Sequence, residues 1–259
     1  MLEMEGYMIY FFICILLGFL LLVYMFIEAH QNIVRKHEFS FSNTPLEKPI
    51  RLFFISDIHR RKINSSIINK MSNQVDLVII GGDLLEKGVP LKRIEQNIQK
   101  LSSLGKVFFV WGNNDIEVEK KDIEKIFKKW NVVVLKNSSV TVNHLQIEWS
   151  LIGVDDLKTG KVDLDLAFQD VIQNVFKILV SHNPRALKLL KKEQGVSLVL
   201  SGHTHGGQIR IFGYGPYEKG KTHVYKGITQ IISNGYGTTT IPLRLSARPE
   251  THYIVIKSI

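Results

Sequence analysis

Five short clusters of Asp, Asn and His punctuate this chain, each at the end of an apolar run. Asp57-Ile58-His59 follows residues 51–56, and Gly81-Gly82-Asp83 follows residues 76–80. Gly112-Asn113-Asn114-Asp115 comes after residues 106–110, His182 closes residues 176–181, and Gly202-His203-Thr204-His205-Gly206-Gly207 follows residues 196–200. Two Asp carboxylates, one Asn carbonyl and four imidazoles make a mixed oxygen and nitrogen donor set without sulfur. Such a set suits Mn, Fe, Zn or Co better than Mg or Ca, which prefer all-oxygen sites. Residues two apart in an extended segment point the same way, so Asp57 with His59, and His203 with His205, each address a shared centre. Seven donors exceed one tetrahedral ion. They match two divalent ions about 3.5–4 Å apart with one bridging carboxylate, which orient a phosphoryl group and activate a water. The expected chemistry is hydrolysis of a phosphoester by a metal-activated hydroxide.

Asn114 and Asp115 adjoin the ligand Asn113 and are the candidate catalytic residues. Arg60, Arg61 and Lys62 follow the first motif directly and are candidates for binding substrate phosphate, with Arg244 and Arg248 next. Taken singly, the fragments say little: Asp-x-His arises by chance, and Gly-Gly-Asp is usually a turn. Their order, each after an apolar run, is what carries the reading.

The apolar runs read as buried strands, because each is short and ends in Gly, Asp, Asn or His. Helical stripes lie between them: Ile63, Ile67 and Met71; Leu91, Ile94, Ile98 and Leu101; Ile123, Ile126, Phe127 and Trp130. Pro90 and Pro184 suit first helical turns. The segment 132–154 is rich in strand formers, with Asn143-His144 as its expected hairpin turn. Alternating β and α in the first half, with added β later, predicts an α/β fold of two packed sheets flanked by helices. In open α/β sheets ligands bind beyond the carboxyl ends of the strands, so all five motifs are expected to converge there.

Residues 7–27 carry no charge, and Gly18 is their one residue outside the apolar set. At 1.5 Å per residue they reach roughly 31 Å, enough to cross a hydrocarbon core. The preceding flank is acidic and no small-residue cleavage site follows, so an uncleaved single-pass anchor is expected rather than a signal peptide. The expected organisation is a flank over 1–6, an anchor over 7–27, a linker over 28–49 and a catalytic domain over 50–259. Arg35 and Lys36, the first basic residues after the span, place that domain on the cytoplasmic side under the positive-inside rule. Setting aside Glu3, Glu5 and Glu28 from 24 acidic residues leaves 21 against 33 basic ones beyond residue 30. That balance favours anionic partners: phosphorylated substrates, nucleic acid or the lipid bilayer itself. Cys14, the single cysteine, excludes intrachain disulfides and cysteine metal sites.

In this order the motifs resemble those of the calcineurin-like metallophosphoesterases: D-x-H, G-D, G-N-H-D, a lone His and G-H-x-H. The tail, from Ser233-Asn234-Gly235 through Pro242 and Arg244 to Ala247-Arg248-Pro249-Glu250, resembles the membrane-associated YaeI/YkuE-like branch. The resemblance covers about residues 50–257. It implies a four-layer α/β/β/α sandwich and a dinuclear centre of Mn, Fe or Zn. Asp57, His59 and His205 would hold the first ion, Asp83 would bridge, and Asn113, His182 and His203 would hold the second. It further implies a phosphodiesterase or pyrophosphatase acting on lipid-linked or cell-envelope phosphoesters. Two departures stand out. The twin-arginine export signal of some relatives is missing, since the only adjacent arginines are Arg60-Arg61. Asn114 occupies the family's histidine position, and an amide donates a hydrogen bond but transfers no proton at neutral pH. Leaving groups that depart without a proton should therefore be preferred. His144, His223 and His252 are the remaining sources of an acid should the fold bring one close, with His223 expected in a loop and His252 strand-facing. Two other classes compete: a non-catalytic membrane scaffold, which would be expected to lose metal ligands, and a metal-dependent nuclease. No nucleic-acid-binding module or aromatic-basic repeat supports the latter, and no protein partner is evident.

Overall fold

The computed structural model describes residues 2–41, 48–144 and 147–258. Helix α1 (Leu2–Ala29) absorbs the expected flank and span in one continuous element. Its window Gly6–Ala29 is long and apolar enough to cross a membrane. Apolar side chains from Tyr7 to Ile27 are mostly exposed, whereas Met25, Glu28 and Ala29 in the last turns are buried against the rest of the chain.

Among the described residues the remaining chain forms two six-stranded sheets. The first contains β1 (Ile33–Phe41), β2 (Ile50–Ile55), β3 (Leu77–Gly81), β4 (Lys106–Val110), β5 (Val133–Val134) and β12 (Glu250–Ser258), in the order β1-β12-β2-β3-β4-β5. The second contains β6 (Ser138–His144), β7 (Ile147–Gly153), β8 (Phe176–Val180), β9 (Leu198–Ser201), β10 (Lys221–Tyr225) and β11 (Ile228–Ile232), ordered β10-β11-β9-β8-β7-β6. Strands β2 to β5 run parallel, as do β7, β8, β9 and β11.

Period-two alternation explains the layers. Leu52, Phe54, Ile79, Phe108 and Val110 face the second sheet and meet Trp149, Leu151, Phe176, Ile178 and Leu200 in a core between the sheets. Their neighbours Phe53, Ile55, Val78, Ile80 and Phe109 face outward, onto α2 (Ser65–Met71), α3 (Leu91–Ser102) and α4 (Lys120–Lys129). On the far side Ile152, Leu179 and Val199 pack under α5 (Leu164–Phe168) and the turn at Pro184–Leu189. The result is the expected α/β/β/α sandwich. Pro90 stands as the N-cap of α3 rather than inside its first turn.

The expected linker 28–49 is different. Residues 42–47, including Pro45, lie outside the described residues, but Ile33–Phe41 pairs with β12 along its whole length. His37, Phe39 and Phe41 alternate toward the interior, and Phe41 meets Phe176 at 5.1 Å between ring centroids. The folded unit thus begins within three residues of α1. Asn143 and His144 prove to be strand residues, His144 pairing with Ile147, and residues 145–146 lie outside the described residues.

Candidate metal centre

Parallel strands β2, β3 and β4 of one sheet and β8 and β9 of the other end at one edge of the sandwich, carrying all five motifs with them. The backbone knits the ends together: Asp57 N–H donates to Gly82 O (2.9 Å), Ile58 N–H to Asp83 O (2.8 Å) and Gly202 N–H to His182 O (3.0 Å). Asp57, His59, Asp83, His203 and His205 all adopt positive φ, between 49° and 74°. Left-handed backbone costs a residue with a Cβ of order 1–3 kcal/mol and persists where surrounding structure enforces it, typically at functional sites. Five such residues in one cluster indicate a backbone shaped for its side chains, not for its own stability. Gly82 and Gly112 fill places that no larger residue fits, since a Cβ would lie 2.6 Å from His182 Nδ1 and 2.3 Å from Asp83 Oδ1, respectively.

The side chains converge. Among the described residues, donor atoms of Asp57, His59 and His205, and again of Asp57, Asp83 and His182, lie within 4.8 Å of one another. His59 Nε2 faces His205 Nε2 at 3.1 Å, and His182 Nε2 approaches Asp83 Oδ2 at 3.2 Å and His203 Nδ1 at 3.2 Å. Imidazole nitrogens that close, beside two buried carboxylates, form a donor set that a cation can share. Asn113 Oδ1 is buried with no hydrogen-bond partner, an oxygen donor aimed at no protein group. This donor chemistry fits divalent ions.

Supporting contacts fix the rings. His182 Nδ1 meets Gly81 O at 2.9 Å, which leaves Nε2 for the cluster. Burial alone would lower the His182 pKa, but Asp83, Asp57 and the Gly81 carbonyl together push it up to about 10. Asp83 is held well below the usual carboxylate range because His182 and His59 outweigh its burial. Burial, reinforced by His59 and Arg244 against the pull of Asp57, pushes His205 down to about 3 and keeps its ring neutral. Glu86, which the motif reading missed, places Oε2 3.4 Å from His59 Nδ1 and accepts from Arg60 Nε at 2.9 Å. Its position three residues after Asp83 was the available signal.

The other site candidates divide sharply. Asn114 stands beside the cluster: its N–H donates to Asp83 Oδ1 (2.8 Å), and its amide lies between Asn113 Nδ2 (2.7 Å) and Glu117 Oε1 (3.2 Å). Asp115 is fully buried and accepts from the amides of Asp83 (2.9 Å), Gly112 (2.7 Å) and Leu85 (2.8 Å). Burial and Asp83 push its pKa up to about 7, against the pull of those donors. It braces the loops after β3 and β4 and presents no free atom to a substrate, so the geometry gives it a positioning role.

Arg61 and Arg244, candidates for phosphate binding, are engaged with protein acceptors. The Arg61 guanidinium donates to Tyr236 O (2.6 Å), His30 O (2.7 Å), Gln31 O (2.8 Å) and Asn32 Oδ1 (3.1 Å). Arg244 is wholly buried and donates to the carbonyls of His205 (3.0 Å), Ala247 (2.6 Å), Asn234 (2.7 Å) and Gly237 (2.6 Å). In each case a fork of donors fastens converging backbone. Arg60 is exposed but paired with Glu86 at 2.9 Å, Lys62 is exposed, and Arg248 lies beside Tyr24 of α1.

A cavity of about 690 Å³ opens from His203 and Thr204 instead, and its basic wall is Lys158, Arg185 and Lys188. Tyr217, Tyr225, Leu157 and Leu187 also line it, as do Glu218, which is acidic, and His223, which belongs to β10 rather than a loop and keeps a buried Nδ1 without a partner among the described residues. His252 is buried on β12 opposite Phe54 of β2 and beside His37 (3.0 Å), within the sheet rather than among the cluster residues.

Two sheets enclosed by helices, with an Asp/His cluster where their parallel strands end, define the class of metal-dependent phosphoester hydrolases. The chain belongs to the calcineurin-like phosphoesterase family, which matches residues 50–207. It is 44% identical over 234 residues to the uncharacterized protein YpbG of Bacillus subtilis (strain 168), covering 90% of both chains. Phosphodiesterase YaeI of Escherichia coli (strain K12) is 26% identical, covering 78% of this chain and 80% of its own. A Danio rerio transmembrane protein with metallophosphoesterase domain is 30% identical, covering 80% of this chain and 53% of its own. The 5'-nucleotidase precursor from Thermus thermophilus shares the fold with a TM-score of 0.53 at 11% identity, covering 80% of this chain and 54% of that one.

Proposed function

We propose that this phosphoester hydrolase works with two divalent ions on phosphodiester or pyrophosphate bonds of lipid-linked or cell-envelope substrates, held at the membrane by α1. The observation that carries the reading is the pair of three-residue clusters sharing Asp57, with the unpartnered Asn113 oxygen beside them. Asp57, His59 and His205 would hold one ion, Asp83 would bridge, and Asn113, His182 and His203 would hold the other. Such ions, Mn, Fe or Zn, would supply Lewis acidity toward phosphoryl oxygens and a water nucleophile. The chain supplies everything else. Gly81 O holds the His182 ring in register, Glu86 places a carboxylate 3.4 Å from His59 Nδ1, and Asp115 fixes the two loops that deliver Asp83 and Asn113. Asn114 offers its amide as a hydrogen-bond donor to substrate oxygen, but carries no proton to give a departing alkoxide.

The cavity supports a substrate that continues past the scissile phosphorus. Lys158, Arg185 and Lys188 favour a second anionic group, and Tyr217 and Tyr225 offer flat apolar surface for the remainder. Arg35 and Lys36 favour a cytoplasmic site. The test is hydrolysis by the purified full-length chain with Mn²⁺, comparing a bis-aryl phosphodiester, a nucleotide-sugar pyrophosphate and a phospholipid. Turnover of the pyrophosphate above the aryl ester, with the phospholipid slowest because its leaving group is an alkoxide, supports the reading. Failure on all three, with metal bound, favours a scaffold.

A further inference from the structure

The segment after the last motif ends in a hairpin that exposes an apolar tip. Ile211 and Tyr214 exchange both backbone hydrogen bonds at 2.9 Å, and Phe212 and Gly213 between them have φ of 50° and 85°. Two successive positive φ values make this a primed turn, whose first position ordinarily takes Asn, Asp or Gly. Here it takes Phe212, which is 97% exposed. Ile211, Tyr214 and, across Gln208, Ile241 are exposed beside it. An aromatic residue held in left-handed backbone with no protein surface to cover it gains nothing within the fold.

Its location is informative. Arg210 N–H donates to Leu245 O (2.9 Å), Leu245 N–H to Gln208 O (2.9 Å), and Arg244 N–H to Met25 O of α1 (3.1 Å). By that path the tip stands within roughly 20 Å of the point where the apolar helix enters the folded unit. Arg210 then ties the hairpin to the site, donating to Gly213 O at the tip (2.5 Å), Tyr217 O at the cavity wall (2.7 Å) and Gly206 O beside His205 (3.0 Å).

We propose that this hairpin is a second lipid contact, which inserts Phe212 and its neighbours into the headgroup region of the bilayer that α1 spans. Exposed aromatic and aliphatic side chains rimmed by polar backbone suit that layer. Continuity with α1 is what selects lipid over a protein partner. Through Arg210 the contact presents the cavity mouth to the membrane surface. The proposal rests on the anchor reading of α1, and the experiment separates the two.

Full-length chain carrying Cys14→Ser is given a single cysteine by Phe212→Cys, Tyr214→Cys or, on the exposed face of α4, Lys125→Cys. Each is spin-labelled and reconstituted in phosphatidylcholine/phosphatidylglycerol vesicles. Flotation reports the anchor, and relaxation by oxygen against a water-soluble nickel chelate reports depth. Labels at 212 and 214 should be shielded from nickel and open to oxygen, with the reverse at 125. Protein that floats while all three labels read as aqueous overturns the hairpin contact and leaves the anchor standing. Protein that does not float overturns both.

Discussion

Replacing Asp115 separates a brace from a catalyst. Its carboxylate is buried and serves three backbone donors, two on Oδ2 and one on Oδ1. Asp115→Ala leaves three buried N–H groups without an acceptor, at about 1–2 kcal/mol each, so about 3–6 kcal/mol in all. Asp115→Asn keeps an acceptor for the Asp83 and Gly112 amides but turns an NH₂ toward the Leu85 N–H. That costs one bond and a donor–donor contact, about 2 kcal/mol. For a folded unit of this size such a change lowers Tm by roughly 4–8 °C. Thermal unfolding in EDTA is the assay, because the bonds belong to the protein and the loss must persist without metal. Metal affinity should fall in parallel, since the braced loops carry Asp83 and Asn113. Wild-type Tm in both variants, with only kcat reduced, would refute the brace and return Asp115 to the reacting groups.

Three further outcomes are expected. Mn²⁺ should raise Tm in a concentration-dependent way, by about 2.7 kcal/mol of stability at a hundredfold excess over Kd, and His182→Ala should abolish most of that rise in a thermal titration. Asn114→His should accelerate alkoxide-leaving esters well beyond phenolate or phosphate leaving groups, and equal gains across a leaving-group series would contradict the proton argument. His252 is buried with a pKa well below its ordinary value, first through desolvation and then through His37 and Arg35. Its neutral form therefore stabilises the fold above about pH 6.5, and that contribution is lost as pH falls toward the depressed folded value. Melting curves between pH 8 and pH 4 should show a shallower acid loss in His252→Gln than in the wild type.

The cluster was legible in the sequence because its residues lie immediately after strands, and a short apolar run ending in Asp or His is a local pattern. Strand β1 was harder. Its alternation of His37, Phe39 and Phe41 is diluted by Arg35, Lys36 and Glu38, and its pairing partner lies more than 200 residues away in β12. Arg61 and Arg244 show why charge alone misleads. Most of their partners are main-chain carbonyls, which every residue carries and no composition reveals. The cavity residues were missed for a related reason: Lys158, Arg185 and Tyr217 line one cavity only because the distant segments that follow β7, β8 and β9 end at one edge.

The junction around Asn32 sets how far the site can reach. Three residues separate α1 from β1, and Arg61 clasps all of them, while the Tyr236 hydroxyl donates to Asn32 Oδ1 at 2.8 Å. A flexible tether would let a domain sample a volume that grows with linker length, roughly 5–6 Å times the square root of its residues. This chain has no such freedom. Whatever surface holds α1 fixes the cluster at one height and one tilt above it. For the lipid-linked substrate proposed above, encounter would be a search in two dimensions, and the distance of the phosphoester from its anchoring plane would become a term in specificity.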